Sequence, residues 1–210
     1  MYNEQKINRN EFRRTVAVVS YHFNKTSRVL ERMVFGRRNP VKENKNLNLY
    51  DWEEWYREEE YLLKNAFSSG ERISYIGSTA IPSIWAKPIV DILMEIPKGR
   101  SLLSYKADII NCGYICMSQS EDRISFNKGY TENGFSEKVF HLHLRYAGDN
   151  NELYFRDYLI EFPDIAKEYE KLKLSLWKEY EHNRDAYTNA KTEFVKKYTE
   201  QAKLIYGNRY

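Results

Sequence analysis

Cysteine is almost absent. Cys112 and Cys116 are the only two in 210 residues, so a disulfide framework is excluded. With no second pair nearby, their spacing fits neither a zinc ligand set nor a redox motif, and they read as buried structural thiols. No apolar run approaches the roughly eighteen residues that a membrane-spanning helix needs, which excludes integral membrane function and a membrane partner. The opening Met1-Tyr-Asn-Glu-Gln-Lys lacks the apolar core of a secretion signal, so a cytoplasmic location is expected. There is no Gly-x4-Gly-Lys-Ser/Thr loop, and a P-loop kinase or ATPase is unsupported. What remains is ordinary for a globular protein: 42% hydrophobic and 30% charged residues, in a chain long enough to close a core without staples.

The net charge of +3 conceals an asymmetry. Residues 1–45 carry eleven Lys or Arg against four Glu, a net of +7, which leaves −4 for residues 46–210. Phe12, Val16, Val19, Phe23, Thr26, Leu30 and Met33 recur at steps of three and four and predict one amphipathic helix ending near Gly36. A polar stretch containing Pro40 follows as a linker, and a domain boundary is expected near residue 46. Such a basic segment can recruit nucleic acid or an acidic partner; the competing reading is a solvated helix face.

Beyond the boundary, periodicity predicts alternating elements. Asp51 and Glu54 have the form of a helix cap, with Trp55, Leu62, Leu63 and Ala66 as the apolar side of the helix that follows. Residues 72–76 read as a strand running into the small-residue turn Gly77-Ser78-Thr79, a turn able to open a helix. Residues 89–96 form a second strand with Ile89, Asp91, Leu93 and Glu95 on one face. A helix over 101–111, strands near 114–118 and 122–128, a loop over 129–138 and a strand over 139–146 come next. The last strand sets His141, His143 and Arg145 on a polar face. Three helices close the chain, the first over 155–162, the second capped by Asp164 and carrying Ile165, Tyr169, Leu172 and Leu176, the third carrying Tyr187 and Phe194. The expected fold is α+β, a small mixed sheet flanked by helices.

The chemistry concentrates around the first two strands. A strand ending in Gly77-Ser78 at a helix start offers backbone N–H groups and a hydroxyl to phosphate oxygens. Asp91 emerges thirteen residues later on the next strand. A metal pair built on that strand needs acids two residues apart, about 6.6 Å on one face, but that position is Leu93. Glu95 lies about 13 Å along the strand from Asp91, too far to share one ion whose oxygen ligands sit about 2.0–2.1 Å away. If strand 139–146 lies beside strand 89–96, His141 and His143 converge with Asp91 in a set suited to later transition metals. Hydrogen bonding within a polar cleft is the other reading of the two histidines. Lys87 and Arg156 are candidates for neutralising a phosphate, Arg156 alternatively pairing with Asp157 to pin helix to sheet. Tyr187 and Lys191, four apart, share a helix face that could reach the cleft.

Six stretches then match a known pattern in order: Tyr50-Asp51, Ile76 to Pro82, Ala86 to Leu93, His141 to His143, Phe155 to Leu159, and Tyr187 with Lys191 and Phe194. They resemble the GrpB-like family of the nucleotidyltransferase superfamily over residues 50–194. The chain departs at Tyr75, where the family commonly has His, and in residues 1–45, which usual members lack. The resemblance implies a nucleotidyltransferase-like fold that binds a nucleotide or phosphorylated small molecule. Gly77, Ser78, Thr79, Lys87, Arg156, Tyr187 and Lys191 would hold the phosphates. Asp91 would be catalytic and would bind a divalent metal (Mg, Mn or Zn) with His141 and His143. Two functions follow as expectations: nucleotidyl transfer to an acceptor, or nucleotide or partner binding after loss of turnover.

Overall fold

The computed structural model describes residues 49–210, apart from Ser68, Ser69, Ser83, Asn133, Glu181 and His182. The basic stretch 1–45, its amphipathic stripe and the boundary near residue 46 lie outside the described residues.

Helix α1, Leu49–Ala66, begins two residues before Asp51, which therefore sits in its first turn and not at its cap. Its buried stripe is Trp52, Trp55, Glu59 and Leu63, whereas Leu62 and Ala66 face outward. Buried Glu59 is satisfied by Lys128 Nζ at 2.8 and 2.9 Å.

Five strands follow: β1 Arg72–Ile76, β2 Val90–Ile96, β3 Ile115–Gln119, β4 Arg123–Thr131 and β5 Gly134–Tyr146. They lie in the order β1-β2-β5-β4-β3, with β2 and β5 parallel and every other pair antiparallel. The stretch 129–138 is thus no loop, because β4 and β5 extend through it as a hairpin. The predicted helix over 101–111 is a 3-10 turn, Leu102–Tyr105, followed by α2, Lys106–Asn111.

One face of the sheet presents Ile92, Met94, Ile124, Phe126, Leu142 and Leu144 to α1 and α2, and these form the main core. Leu93, on the opposite face of β2, is also fully buried, against Ile76 and Leu153. A central strand covered on both sides reads as a near-continuous apolar run, and β2 is buried along almost its whole length. The second cover is α3, Asn151–Glu161, α4, Pro163–Glu179, and α5, Arg184–Tyr206. Pro163, not Asp164, opens α4, where its missing N–H removes no helical hydrogen bond. The α4 stripe is Ala166, Tyr169, Lys173 and Leu176, so a lysine lies among the buried positions. No helix among the described residues is long and apolar enough to cross a membrane.

Candidate functional site

The site grows out of the turn between β1 and β2. Gly77 has φ +77°, and a Cβ there would overlap the Asp91 carboxylate and come within 2.8 Å of Asp91 Cβ. Glycine is required so that the turn can lie directly against the acid of the next strand. Ser78–Ala80 is a three-residue 3-10 turn, too short for the helix start expected from sequence. Thr79 is buried, and its hydroxyl donates to the Ile89 carbonyl at 2.9 Å, tying the turn to the start of β2. Ser78 faces the helices, and its hydroxyl oxygen accepts a hydrogen bond from Lys173 Nζ at 3.0 Å.

Lys173 was not foreseen. It is only 9% exposed, donates also to the Trp85 carbonyl at 2.5 Å, and lies 4.9 Å from the Tyr169 ring centroid. Among the described residues it makes no ion pair. Burial, reinforced by the nearby Lys191 charge and opposed by Glu170, lowers its pKa to about 8. The signal available in sequence was its position four residues after Tyr169, on the inward stripe of an amphipathic helix. Two further lysines stand over aromatic rings on this side. Lys87 lies 4.4 Å from the Trp177 ring centroid, and Lys191 lies 4.2 Å from that of Tyr187. Tyr169 and Lys191 also line a cavity of about 590 Å³ whose other wall includes Arg123, Arg145 and Glu152.

The parallel pairing of β2 with β5 sets Asp91 opposite His141 and Leu93 opposite His143, and paired residues share a face. His141 Nδ1 lies 3.3 Å and His143 Nε2 3.6 Å from Asp91 Oδ1. Burial pushes the Asp91 carboxyl up, but hydrogen bonding and charge from the two imidazoles outweigh it and hold the group well below the usual carboxylate range. A third partner was missed: the Tyr130 hydroxyl sits 2.8 Å from His141 Nε2.

Arg156 is directed elsewhere. Its guanidinium donates to Asp157 at 2.8 and 2.6 Å, to the Tyr75 carbonyl at 2.6 Å and to the Tyr210 hydroxyl at 3.0 Å. It fastens α3 to β1, the second of the two readings its sequence position allowed.

Residues 46–201 match the family model described as GrpB protein. The chain belongs to the GrpB family. The glutamate-rich protein GrpB of Alkalihalophilus pseudofirmus is 35% identical over 154 residues, covering 69% of this chain and 87% of that protein. The YqkA protein of Bacillus subtilis is 33% identical over 156 residues, 72% of this chain but only 45% of its own length. Among solved structures, a GrpB from Enterococcus faecalis superposes with TM-score 0.61 at 28% identity, covering 74% of this chain and 94% of that one. The Cid1 poly(U) polymerase aligns at TM-score 0.47 and 10% identity, covering 63% of this chain and 43% of that one.

Two features of the geometry bear on the family pattern. Tyr75, the departure from the usual His, is stacked on Tyr56 with ring centroids 4.7 Å apart. Its buried hydroxyl has no hydrogen-bond partner among the described residues, and burial pushes its pKa up to about 12. The three residues expected to bind a metal, Asp91, His141 and His143, lie together, but the second carboxylate of a two-acid centre is missing. Leu93 occupies the second acidic position within an apolar cluster. Glu95 is buried and held by Arg72 Nε at 2.6 Å and by Gly148 N and Asn150 Nδ2, each at 3.0 Å. Both His141 nitrogens already face protein partners. Among the described residues no group of three or more His, Cys, Asp or Glu could hold a metal ion. The side chains present do not fit a two-carboxylate centre.

Proposed function

We propose that this protein is nucleotidyltransferase-like in action as well as in family resemblance. It holds a nucleotide, or a phosphorylated small molecule, by its phosphates over the Ser78 turn and presents them to the cluster around Asp91. The observation that carries this reading is Lys173, a buried ammonium whose hydrogen bonds go to neutral oxygens. Glu170 acts on it only from beyond ion-pair distance, a buried charge so placed is costly, and an anionic ligand at Ser78 would supply a direct partner. Lys191 and Lys87, on the same side, add to the positive potential. Phosphoryl chemistry relies on such positioning and charge neutralisation.

Isothermal calorimetry on the full chain with each nucleoside triphosphate and magnesium, and with inorganic pyrophosphate, tests the reading. Binding is expected, and Lys173→Met should weaken it by tenfold or more. No binding by any of these probes, or equal binding by Lys173→Met, overturns it. A second reading, binding without turnover, is favoured by Leu93 at the second acidic position. Pyrophosphate release from the bound nucleotide separates the two, since only the transfer reading produces it.

A further inference from the structure

We infer that the cavity between α5 and the Arg145 end of the sheet is a second binding site, taking a small dianion with an apolar body, an aryl phosphate or an aromatic dicarboxylate. The site is separate from the Ser78 turn, since its described wall includes none of Ser78, Lys87, Lys173 or Asp91. It therefore stands whether or not a nucleotide binds at that turn.

The cavity exists because α5 turns a polar face inward. Phe194, Tyr198 and Ala202 pack that helix into the core it shares with α3 and α4. Beside them Thr188, Lys191, Thr192, Val195, Thr199 and Lys203 fall on one continuous helical face, and all of them line the cavity. Only Val195 among them is apolar, so this face cannot close against the body as core, and a space of about 590 Å³ is left. That volume is of the size that holds a small molecule. Phe155 and Tyr169, both buried, give the wall an aromatic part, meeting edge-on with ring centroids 5.2 Å apart.

The charge of the wall sets the class of ligand. On the sheet side the cations are matched: Arg123 donates to Asp149 at 2.9 and 3.1 Å, and Arg145 Nη1 lies 2.8 Å from Glu152 Oε1 and 3.5 Å from Asp149 Oδ1. On α5 three lysines, Lys191, Lys196 and Lys203, line the cavity with one acid, Glu200. Counted over the whole wall, five cations meet three acids, an excess of two positive charges. In a partly enclosed space such an excess acts more strongly than it does in open water. A ligand with two negative charges cancels it, while a ring on the same ligand covers Phe155 and Tyr169 and leaves water. A monoanion leaves one charge unmatched, and a long polyanion meets Asp149, Glu152 and Glu200 along the same wall.

Methyl NMR of the full chain with labelled threonine and valine tests the site. Phenyl phosphate and phthalate are titrated in at about pH 7.5, above the second ionisation of a phosphate monoester near pH 6 and the carboxylate range near pH 4. Saturating shifts of the Thr188, Thr192 and Val195 methyls are expected, and the tighter of the two probes names the head group. Inorganic phosphate, which lacks the ring, and phenol, which lacks the charge, should bind about tenfold or more weakly. Lys196 is exposed, so Lys196→Glu should keep the rest of the spectrum while weakening phenyl phosphate about tenfold or more. Lys173→Met should leave that affinity within about twofold. Absence of saturating shifts at these methyls, an equal response to phenol, or an unchanged Kd in Lys196→Glu each overturns the second site. Loss of binding in Lys173→Met alone moves the anion to the Ser78 turn; it overturns the second site and leaves the proposed function standing.

Discussion

Gly77 shows how much of this site depends on one absent side chain. Its positive φ and its contact with Asp91 are separate constraints on the same residue. Alanine there would strain the backbone and push β2 away from the turn. Overpacking of this kind costs about 1–3 kcal/mol, and in a domain of this size each kcal/mol lowers Tm by roughly 2–4 °C. Gly77→Ala should therefore melt several degrees below wild type in scanning calorimetry and lose nucleotide affinity. Gly99 has open space where its Cβ would be, so Gly99→Ala should match wild type in both. Equal behaviour of the two variants would mean that the turn does not press on Asp91.

The Arg156 guanidinium ties helix α3 to β1, and its contacts give a second expectation. Arg156 joins β1, α3 and the C-terminal Tyr210, while Arg209 Nη1 supports Asp157 from outside at 3.1 Å. Arg156→Met removes the donor to the Tyr75 carbonyl and one of the donors to Asp157, which keeps Arg209 and Tyr210, a loss of roughly 1–3 kcal/mol. Denaturant unfolding should register that loss while the nucleotide Kd stays put. Had Arg156 been a phosphate ligand, affinity would fall and stability would hold. From sequence this residue was undecided, because a guanidinium at a helix face suits both purposes until its neighbours are known. Strand β2, by contrast, was readable almost to the residue, since a covered strand shows its faces as apolar pattern. The hairpin across Gly129 and Gly134 was not. Phe135, Ser136 and Glu137 are exposed, so the extension beyond the sheet has no core side to impose a period of two. Reading it as a loop also hid Tyr130. Lys173 was hidden for another reason: a lysine at an inward position is masked by the apolar residues around it, and only the Ser78 contact reveals what it faces. The Asp91–His141 pairing could be stated only conditionally, because strand order is a long-range property that spacing along the chain does not encode.

Across the whole protein, Lys173 links folding and binding with opposite signs. Its pKa falls from the ordinary 10.5 to about 8 on folding. Between those values the unfolded chain binds more protons than the folded one, so stability rises as pH goes from about 8 to 10.5 and carries its full penalty below that window. The penalty is at most about 3 kcal/mol, since each pKa unit corresponds to about 1.4 kcal/mol. A phosphate ligand reverses the preference. It needs the ammonium, so nucleotide affinity should fall once pH passes about 8, approaching tenfold per unit, and binding there should take up a proton. The second ionisation of a phosphate monoester is near pH 6, so the ligand's own charge is constant through this range. Lys173→Met should abolish both slopes. At neutral pH it should also make the free protein more stable while weakening nucleotide binding, the trade expected where a strained group serves a ligand. Urea titrations and calorimetry on the two proteins from pH 7 to 10 measure both slopes. If Lys173→Met destabilises the free protein and leaves affinity alone, the lysine belongs to the architecture, and the anion site at Ser78 is lost with it.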